Sequence, residues 1–366
     1  MNSTTRVVHD LHAGLHKALG RRLKVSESAP ATVLREAGSI QHAGACTLDN
    51  GLEAGFYGLS ETAITYSWTD ASYFRLKDAY AVGDQGQVFL KDGSFFLPCI
   101  HPQEHLLKKM KIRRPVKSLA KKIKGPVFHL TGRNHENRGH FLLQHLPRIL
   151  AARAVLERIG DNRILVAPGH SRWQKALLEM AGFDPGWVIE GTQGTLEIED
   201  LIFVPQLYGS NSLVAPELCR AIRNCAATLP LERPNGPPIF ISRQDAPDKR
   251  LENEVPIVAA ARAILGELEV IELRKFSLKE QIAKYRQAPV ILGPIGQGLC
   301  NVVFTSGKLF ISLKPGLTVD DYIRPGHTTH TALVCGNHAI NLFSNTPAPS
   351  RGNWSFPEER FRRQLT

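Results

Sequence analysis

From Val127 to Leu313 the sequence alternates short, β-rich apolar runs with longer amphipathic ones, and that alternation restricts the chain to an α/β fold. VFHLTG (127–132), RILVAPG (163–169), WVIEG (187–191) and LIFVP (201–205) read as strands. Between and after them, HFLLQHLPRILAARAVLERIG (140–160), SRWQKALLEMAGF (171–183) and APELCRAIRNCAATL (215–229) read as helices, with Ser171 as N-cap of the second and Pro216 in the first turn of the third. The Pro/Gly-rich stretch 229–238 marks a domain boundary. A second set follows: strands at 239–243, 268–273, 289–293 and 308–313, and helices from about Asn253 to Leu265, at 277–287 and after Gly298. Ser277 and Glu280 have capping-box spacing.

Two such sets predict two doubly wound domains facing a cleft. The length of 366 residues agrees, since a single core stops growing at about 250–300. Ahead of them, Tyr73–Pro98 has short alternating runs split by Gly-Asp, Asp-Gln-Gly and Asp-Gly, which predicts β-hairpins. The expected division is a β-rich and then basic N-terminal lead-in (1–125), two Rossmann-like domains (126–232 and 233–345) and a C-terminal tail helix (346–366).

Hydrophobic residues at 43% and charged residues at 22% describe a folded soluble protein. The apolar stretch in the first thirty residues is short, is interrupted by His and Lys and lacks a small-residue cleavage site, and no run approaches the ~20 apolar residues of a membrane span. Six scattered cysteines without a C-x-x-C pair read as reduced thiols, which suggests a cytoplasmic protein. The net charge of +11 calls for a polyanionic partner: a phosphorylated substrate, an anionic membrane surface or a nucleic acid. Much of it lies in 106–125, where nine basic residues are interleaved with Leu, Met, Ile and Val as in a membrane-surface helix, divided by Pro115 into two short pieces. A solvated basic linker has the same composition.

Three constellations carry candidate chemistry. Gly293, Gly296 and Gly298 sit where a strand ends and a helix begins, so main-chain N–H groups there can receive an anion. The spacing is not G-x-G-x-x-G, and no acidic residue follows on a second strand to hold a ribose. A tight turn that binds nothing uses the same glycines. Arg243 closes a strand, and Lys249, Arg250, Asn253 and Glu254 lie where the next helix begins; two converging guanidinium groups suit a diphosphate. In the third, His140, Gln144 and Arg148 share one helical face at i, i+4 and i+8, with His135 and Glu136 in the preceding loop and His145 about a third of a turn away. A histidine there can serve as a general base, and no carboxylate completes a metal-ligand set.

Taken together, NRGHFLLQHLPRIL, WQKALLEMAGFDPGWVIE with LIFVP, ISRQDAPDKRLENE and FSLKEQIAKYRQAPVILGPIGQGLCNVVF resemble the family 61 glycosyltransferases in order and spacing, from about Tyr73 to Leu313. That family includes the EGF-domain O-GlcNAc transferase, plant xylan arabinosyl- and xylosyltransferases and bacterial polysaccharide-biosynthesis proteins. The resemblance implies a GT-B-like pair of Rossmann-type domains, a nucleotide-diphosphate sugar donor, a polysaccharide or lipid-linked glycan acceptor, inversion at the anomeric carbon, and no metal or other cofactor. It makes 126–232 the acceptor-side domain and 233–345 the nucleotide-sugar-binding domain; the cysteine usage and the basic segment 106–125 together lead us to expect the protein in the cytoplasm, at the inner face of the plasma membrane. By position the resemblance assigns donor binding to Arg243, Arg250, Asn253, Glu254, Gly293, Pro294, Ile295, Gly296, Gln297, Gly298 and Asn301. Catalysis falls to His140, with His145 and Glu136 behind it, and the acceptor side to Asn137, Gln144 and Arg148.

The chain departs from the family where Ile295 replaces a usual His, Gln144 an acidic residue and Ser312 a usual Glu. A catalytically lapsed nucleotide-sugar- or glycan-binding homologue therefore stays open. A nucleic-acid-binding protein also accounts for the charge, but the sequence has no aromatic-rich RNA motif, zinc-finger spacing or basic zipper, and no nucleic-acid partner is expected.

Overall fold

A computed structural model describes residues 25–26, 31–36, 38–42, 46–48, 64–68, 71–99, 112–160, 163–169, 171–207, 214–230, 235–315, 326–344 and 352–365. The chain divides into two compact units, Met1–Gly38 with Ser67–Ala215, and Ser39–Tyr66 with Pro216–Thr366.

The short N-terminal strands are β1 (Val25–Ser26), β2 (Ala31–Arg35), β3 (Gly38–His42), β4 (Cys46–Leu48) and β5 (Ile64–Trp68), of which β3 and β5 pair with each other. The first unit is built on a nine-stranded mixed sheet in which β1 and β2 are joined by β6 (Ala71–Val82), β7 (Gln87–Phe89), β8 (Phe95–Phe96), β9 (Lys121–His129), β10 (Arg163–Val166), β11 (Val188–Glu190) and β12 (Thr195–Phe203). The run β12-β9-β10-β11 is parallel, as alternating strands and helices require. The expected hairpins form, with Gly83, Gly86 and Gly93 in the positive-φ conformation their turns need.

The N-terminal β-rich region extends this sheet. β6 runs antiparallel to β12 from Val82↔Thr195 to Phe74↔Phe203. Phe74, Leu76, Phe96, Val127, Leu165, Leu196, Ile198, Leu201 and Phe203 then form one continuous core. The basic segment also differs from expectation. A 3-10 turn spans Lys117–Leu119 and β9 begins at Lys121, because Lys121, Lys122 and Ile123 pair with Leu196, Glu197 and Ile198 of β12. No membrane-surface helix forms over 112–125, and 106–111 lies outside the described residues.

The second unit has a six-stranded, wholly parallel sheet in the order β14-β13-β15-β16-β17-β4, made by β13 (Ile239–Ile241), β14 (Glu269–Ile271), β15 (Val290–Pro294), β16 (Leu309–Lys314), β17 (His338–Phe343) and β4. The chain leaves β13 through the helix Glu254–Leu265 to β14 on one side. It returns through the helix Leu278–Gln287 to β15 on the other. Strand order therefore reverses at β13, and the loops after β13 and β15 flank a topological switch point, where open parallel sheets bind ligands.

Ile257, Val258, Ala260 and Ala261 of the first of these helices pack on Phe240, Leu292, Ile311 and Leu342, together with Trp354, Phe356 and Phe361 from the C-terminal segment. The terminal helix Glu358–Leu365 is thus part of the core of this unit. The helix Pro216–Cys225 also belongs to the second unit, so the division falls between Ala215 and Pro216, ahead of the 229–238 stretch. Arg286 binds the carbonyls of Ala226, Ala227 and Leu229 past its C-terminus, and Arg223 binds Cys335 O at 2.7 Å.

Candidate functional site

In the second unit, close packing brings two separate motifs together. Arg243 follows β13 with its side chain mostly buried (15% exposed), and the Asp248 and Lys249 carbonyls accept from Nη2 and Nε at 3.0 and 3.3 Å. Lys249 adopts φ +55°, uncommon for a residue with a side chain. The Arg243 guanidinium lies against the main chain of Gly296: a Cβ there would overlap it, 2.7 Å from Cζ. Gly293 and Gly298 are also crowded, since a Cβ would fall 2.8 Å from Ile241 O at the first and 2.6 Å from Leu273 Cδ1 at the second. At Gly293 the obstacle is fixed main chain, whereas at Gly296 and Gly298 it is a neighbouring side chain.

Glu254 is buried at the start of its helix. It accepts from Ser242 Oγ at 2.5 Å and from Arg243 N at 3.4 Å, which fixes the end of β13 where Arg243 emerges. Arg250 is half-buried and has no ion pair among the described residues, with its main chain paired to Asn353 and Trp354. Asn253 is engaged elsewhere: Nδ2 donates to Phe356 O (2.6 Å) and Oδ1 accepts from Phe356 N (3.0 Å), pinning the C-terminal segment. Asn301 is buried and donates to Gln281 Oε1 at 3.2 Å, and the Gln281 amide in turn binds Leu273 O and Phe276 O.

Gln297 is exposed and Pro294 is buried as the last residue of β15. Ile295 is 37% exposed, with its N–H donating to Leu313 O, so its side chain belongs to the surface of the loop. Ser312 is buried at mid-β16 opposite Gly293, and its hydroxyl lacks a hydrogen-bond partner.

In the first unit, Asn137 caps the helix start by accepting from His140 N at 3.1 Å. The next turn, Phe141–His145, is a π-helix, and Leu146 N–H reaches back to Phe141 O. This extra residue in the turn rotates the helix beyond it, and Arg148, three residues after His145, lies beside its ring. His145 is fully buried: Nε2 faces Arg133 O at 3.1 Å and Nδ1 accepts from Arg148 Nη1 at 3.3 Å. With both nitrogens engaged, burial and the Arg148 charge push its pKa well below the ordinary value, and the ring is a neutral structural group.

Arg148 is likewise buried, and does not line an acceptor surface. It donates to Val204 O (2.6 Å), Thr131 O (3.2 Å) and His129 O (3.1 Å) and lies over the Phe203 ring. Without a carboxylate partner, its pKa falls to about 9, chiefly through burial.

His140 remains half-buried at the helix start. Burial lowers its pKa, outweighing the hydrogen bond to Gln144 and the charge of Glu136. Gln144 is buried beneath it, and Glu136 is exposed, 3.6 Å from His135 Nδ1. The structure thus brings His140, Gln144, Asn137 and Glu136 together, whereas the His145 and Arg148 side chains are buried and engaged with main-chain carbonyls and with each other.

Sequence reasoning named Lys249 for its charge and missed Asp248, and in both it is the main-chain carbonyl that aims Arg243, an acceptor without a side-chain signature. Among the described residues no group of three or more His, Cys, Asp or Glu side chains is placed to hold a metal ion. Cys99, Cys300 and Cys335 are thiols pushed up to about 12 by burial, so none is a ready nucleophile. No helix among the described residues is long and apolar enough to cross a membrane.

The Glycosyltransferase 61 family model matches residues 139–318, from the capped helix of the first unit through the glycine loop and β16 of the second. No curated protein matches the chain. This region, which contains His140, Arg243 and the Gly293–Gly298 loop, is similar to the glycosyltransferase 61 family.

Proposed function

We propose that this protein is a GT-B-like, inverting glycosyltransferase that moves a sugar from a nucleoside-diphosphate donor to a polysaccharide or lipid-linked glycan in cell-surface polysaccharide synthesis. The observation that carries the reading is the meeting of Arg243 and Gly296 at the switch point of the β13–β15 sheet. A guanidinium held beside glycine-loop N–H groups suits the charge that develops on a departing diphosphate. Arg250 adds a second cation from the same loop.

In this reading the acceptor hydroxyl attacks the anomeric carbon as the bond to the diphosphate oxygen breaks. His140 takes the hydroxyl proton, and the diphosphate leaves with the bonding electrons. Burial favours the neutral imidazole this role requires.

The test is a thermal-shift screen against nucleotide sugars, followed by product analysis with the stabilising donor. Stabilisation by one nucleotide class and transfer with inverted configuration is the expected result. Stabilisation without transfer to any acceptor would favour the lapsed, binding-only reading suggested by Ile295, Gln144 and Ser312.

A further inference from the structure

The turn that leads into β9 holds two exposed apolar side chains within a cluster of cations. From Ile112 to Lys124 the chain carries Arg113, Arg114, Lys117, Lys121, Lys122 and Lys124 and no acidic residue. Among them Val116 is 50% and Leu119 79% exposed. Folding normally hides such side chains, and here the main chain that bears them is fixed. Arg113 N–H donates to Gln87 Oε1 (2.9 Å) and Val116 N–H to Thr195 Oγ1 (3.0 Å). Lys117 Nζ donates to Lys91 O (3.0 Å) and lies over the Tyr80 ring. Leu119 N–H closes the turn on Val116 O. Leu119 is thus presented outward by a turn anchored on β7 and β12.

Carboxylates on the adjoining strands do not neutralise the cluster. Asp78 holds Lys91 at 2.6 Å, and Glu199 accepts from Gly125 N at 2.7 Å. Asp200 holds Arg75 and Lys77, and Glu197 takes only Lys122, at 3.4 Å. Lys121 and Lys124 have no ion pair among the described residues.

Cations alone suit any polyanion. An exposed Leu and Val at the tip suit one that offers hydrocarbon just beneath its charge, which a nucleic acid or an acidic glycan does not. We infer that residues 112–124 dock on a bilayer surface containing anionic phospholipid. Val116 and Leu119 enter the boundary between headgroups and acyl chains, and the Lys and Arg side chains meet lipid phosphates. This inference does not rest on sugar transfer: a protein that fails to dock keeps its donor affinity.

Flotation of the full chain with vesicles of phosphatidylcholine alone, and of phosphatidylcholine mixed with phosphatidylserine, tests it. Wild type is expected to float with the mixed vesicles only, less at high salt. Val116→Ser with Leu119→Ser is expected to weaken binding by about tenfold or more, with the melting temperature unchanged because both side chains are exposed. Lys121→Gln with Lys124→Gln is expected to weaken it similarly. Equal recovery with both vesicle types, recovery with neither, or wild-type flotation of the serine pair overturns the inference. Salt-sensitive binding to a DNA duplex that survives the serine pair, without flotation, assigns the face to nucleic acid instead.

Discussion

Arg243 occupies the space that a side chain at residue 296 would fill, so the arginine and the glycine form one surface although 53 positions separate them. This relationship distinguishes glycines that serve the fold from the one that serves the site. At Gly293 a Cβ meets the fixed main chain of Ile241, and Gly293→Ala is expected to destabilise the second unit by about 1–3 kcal/mol. At Gly296 the obstacle is a side-chain end, which can swing away. Gly296→Ala is expected to melt within a few degrees of wild type while losing nucleotide affinity. Denaturant melts with nucleotide titrations check the pair; equal destabilisation by both variants would contradict the distinction.

The His140 prediction has a definite sign. Burial lowers its pKa, so the neutral base is present above that value and activity is lost as pH falls through a midpoint below ~6.5. His140→Asn is expected to cost ~10²–10⁴-fold in turnover with donor affinity little changed. A pH–rate profile of wild type and variant, taken with the same donor, decides the point, and near-wild-type turnover of the variant removes His140 from the role.

Acid should weaken the first unit for a separate reason. His129 is buried with its pKa lowered to about 3, by burial and then by the Arg148 charge, and His145 is lowered in the same way. A histidine held neutral in the fold binds its proton in the unfolded chain, so stability is full above ~6.5 and declines as pH falls toward the folded values. At pH 5 the loss is about 2 kcal/mol for His129, and His145 adds to it in the same direction. Melting temperature against pH is the measurement, and His129→Phe is expected to flatten its slope between pH 7 and 5.

Ile295 is a surface residue of the Gly293–Gly298 loop, and its N–H donates to Leu313 O at the end of β16. Ile295→His is therefore expected to fold normally and to change which nucleotide sugar stabilises the protein. A large drop in melting temperature would mean that the isoleucine supports the core.

Features encoded by near neighbours were legible in the sequence. Ser277 and Glu280 form both bonds of the capping box that their spacing announced. The glycines of the β15 loop mark close approach, and Gly83, Gly86 and Gly93 mark hairpin turns. The features that escaped depend on distant partners or on bonding patterns without a residue signature. The π turn at Phe141–His145 replaces the regular face assumed for His140, Gln144 and Arg148. Asn253 is claimed by Phe356, and the helix Pro216–Cys225 is drawn into the second unit by Arg286 and Arg223.

The central claim is that a nucleoside diphosphate binds where Arg243 meets the glycine loop. Calorimetric titration of the best-stabilising nucleoside diphosphate into wild type and Arg243→Ala tests it most directly, with melting temperatures confirming that both are folded. A charged hydrogen bond to phosphate contributes ~1.5–3 kcal/mol, so the variant is expected to bind roughly ten- to a hundredfold more weakly. Unchanged affinity in a folded Arg243→Ala protein would contradict the account.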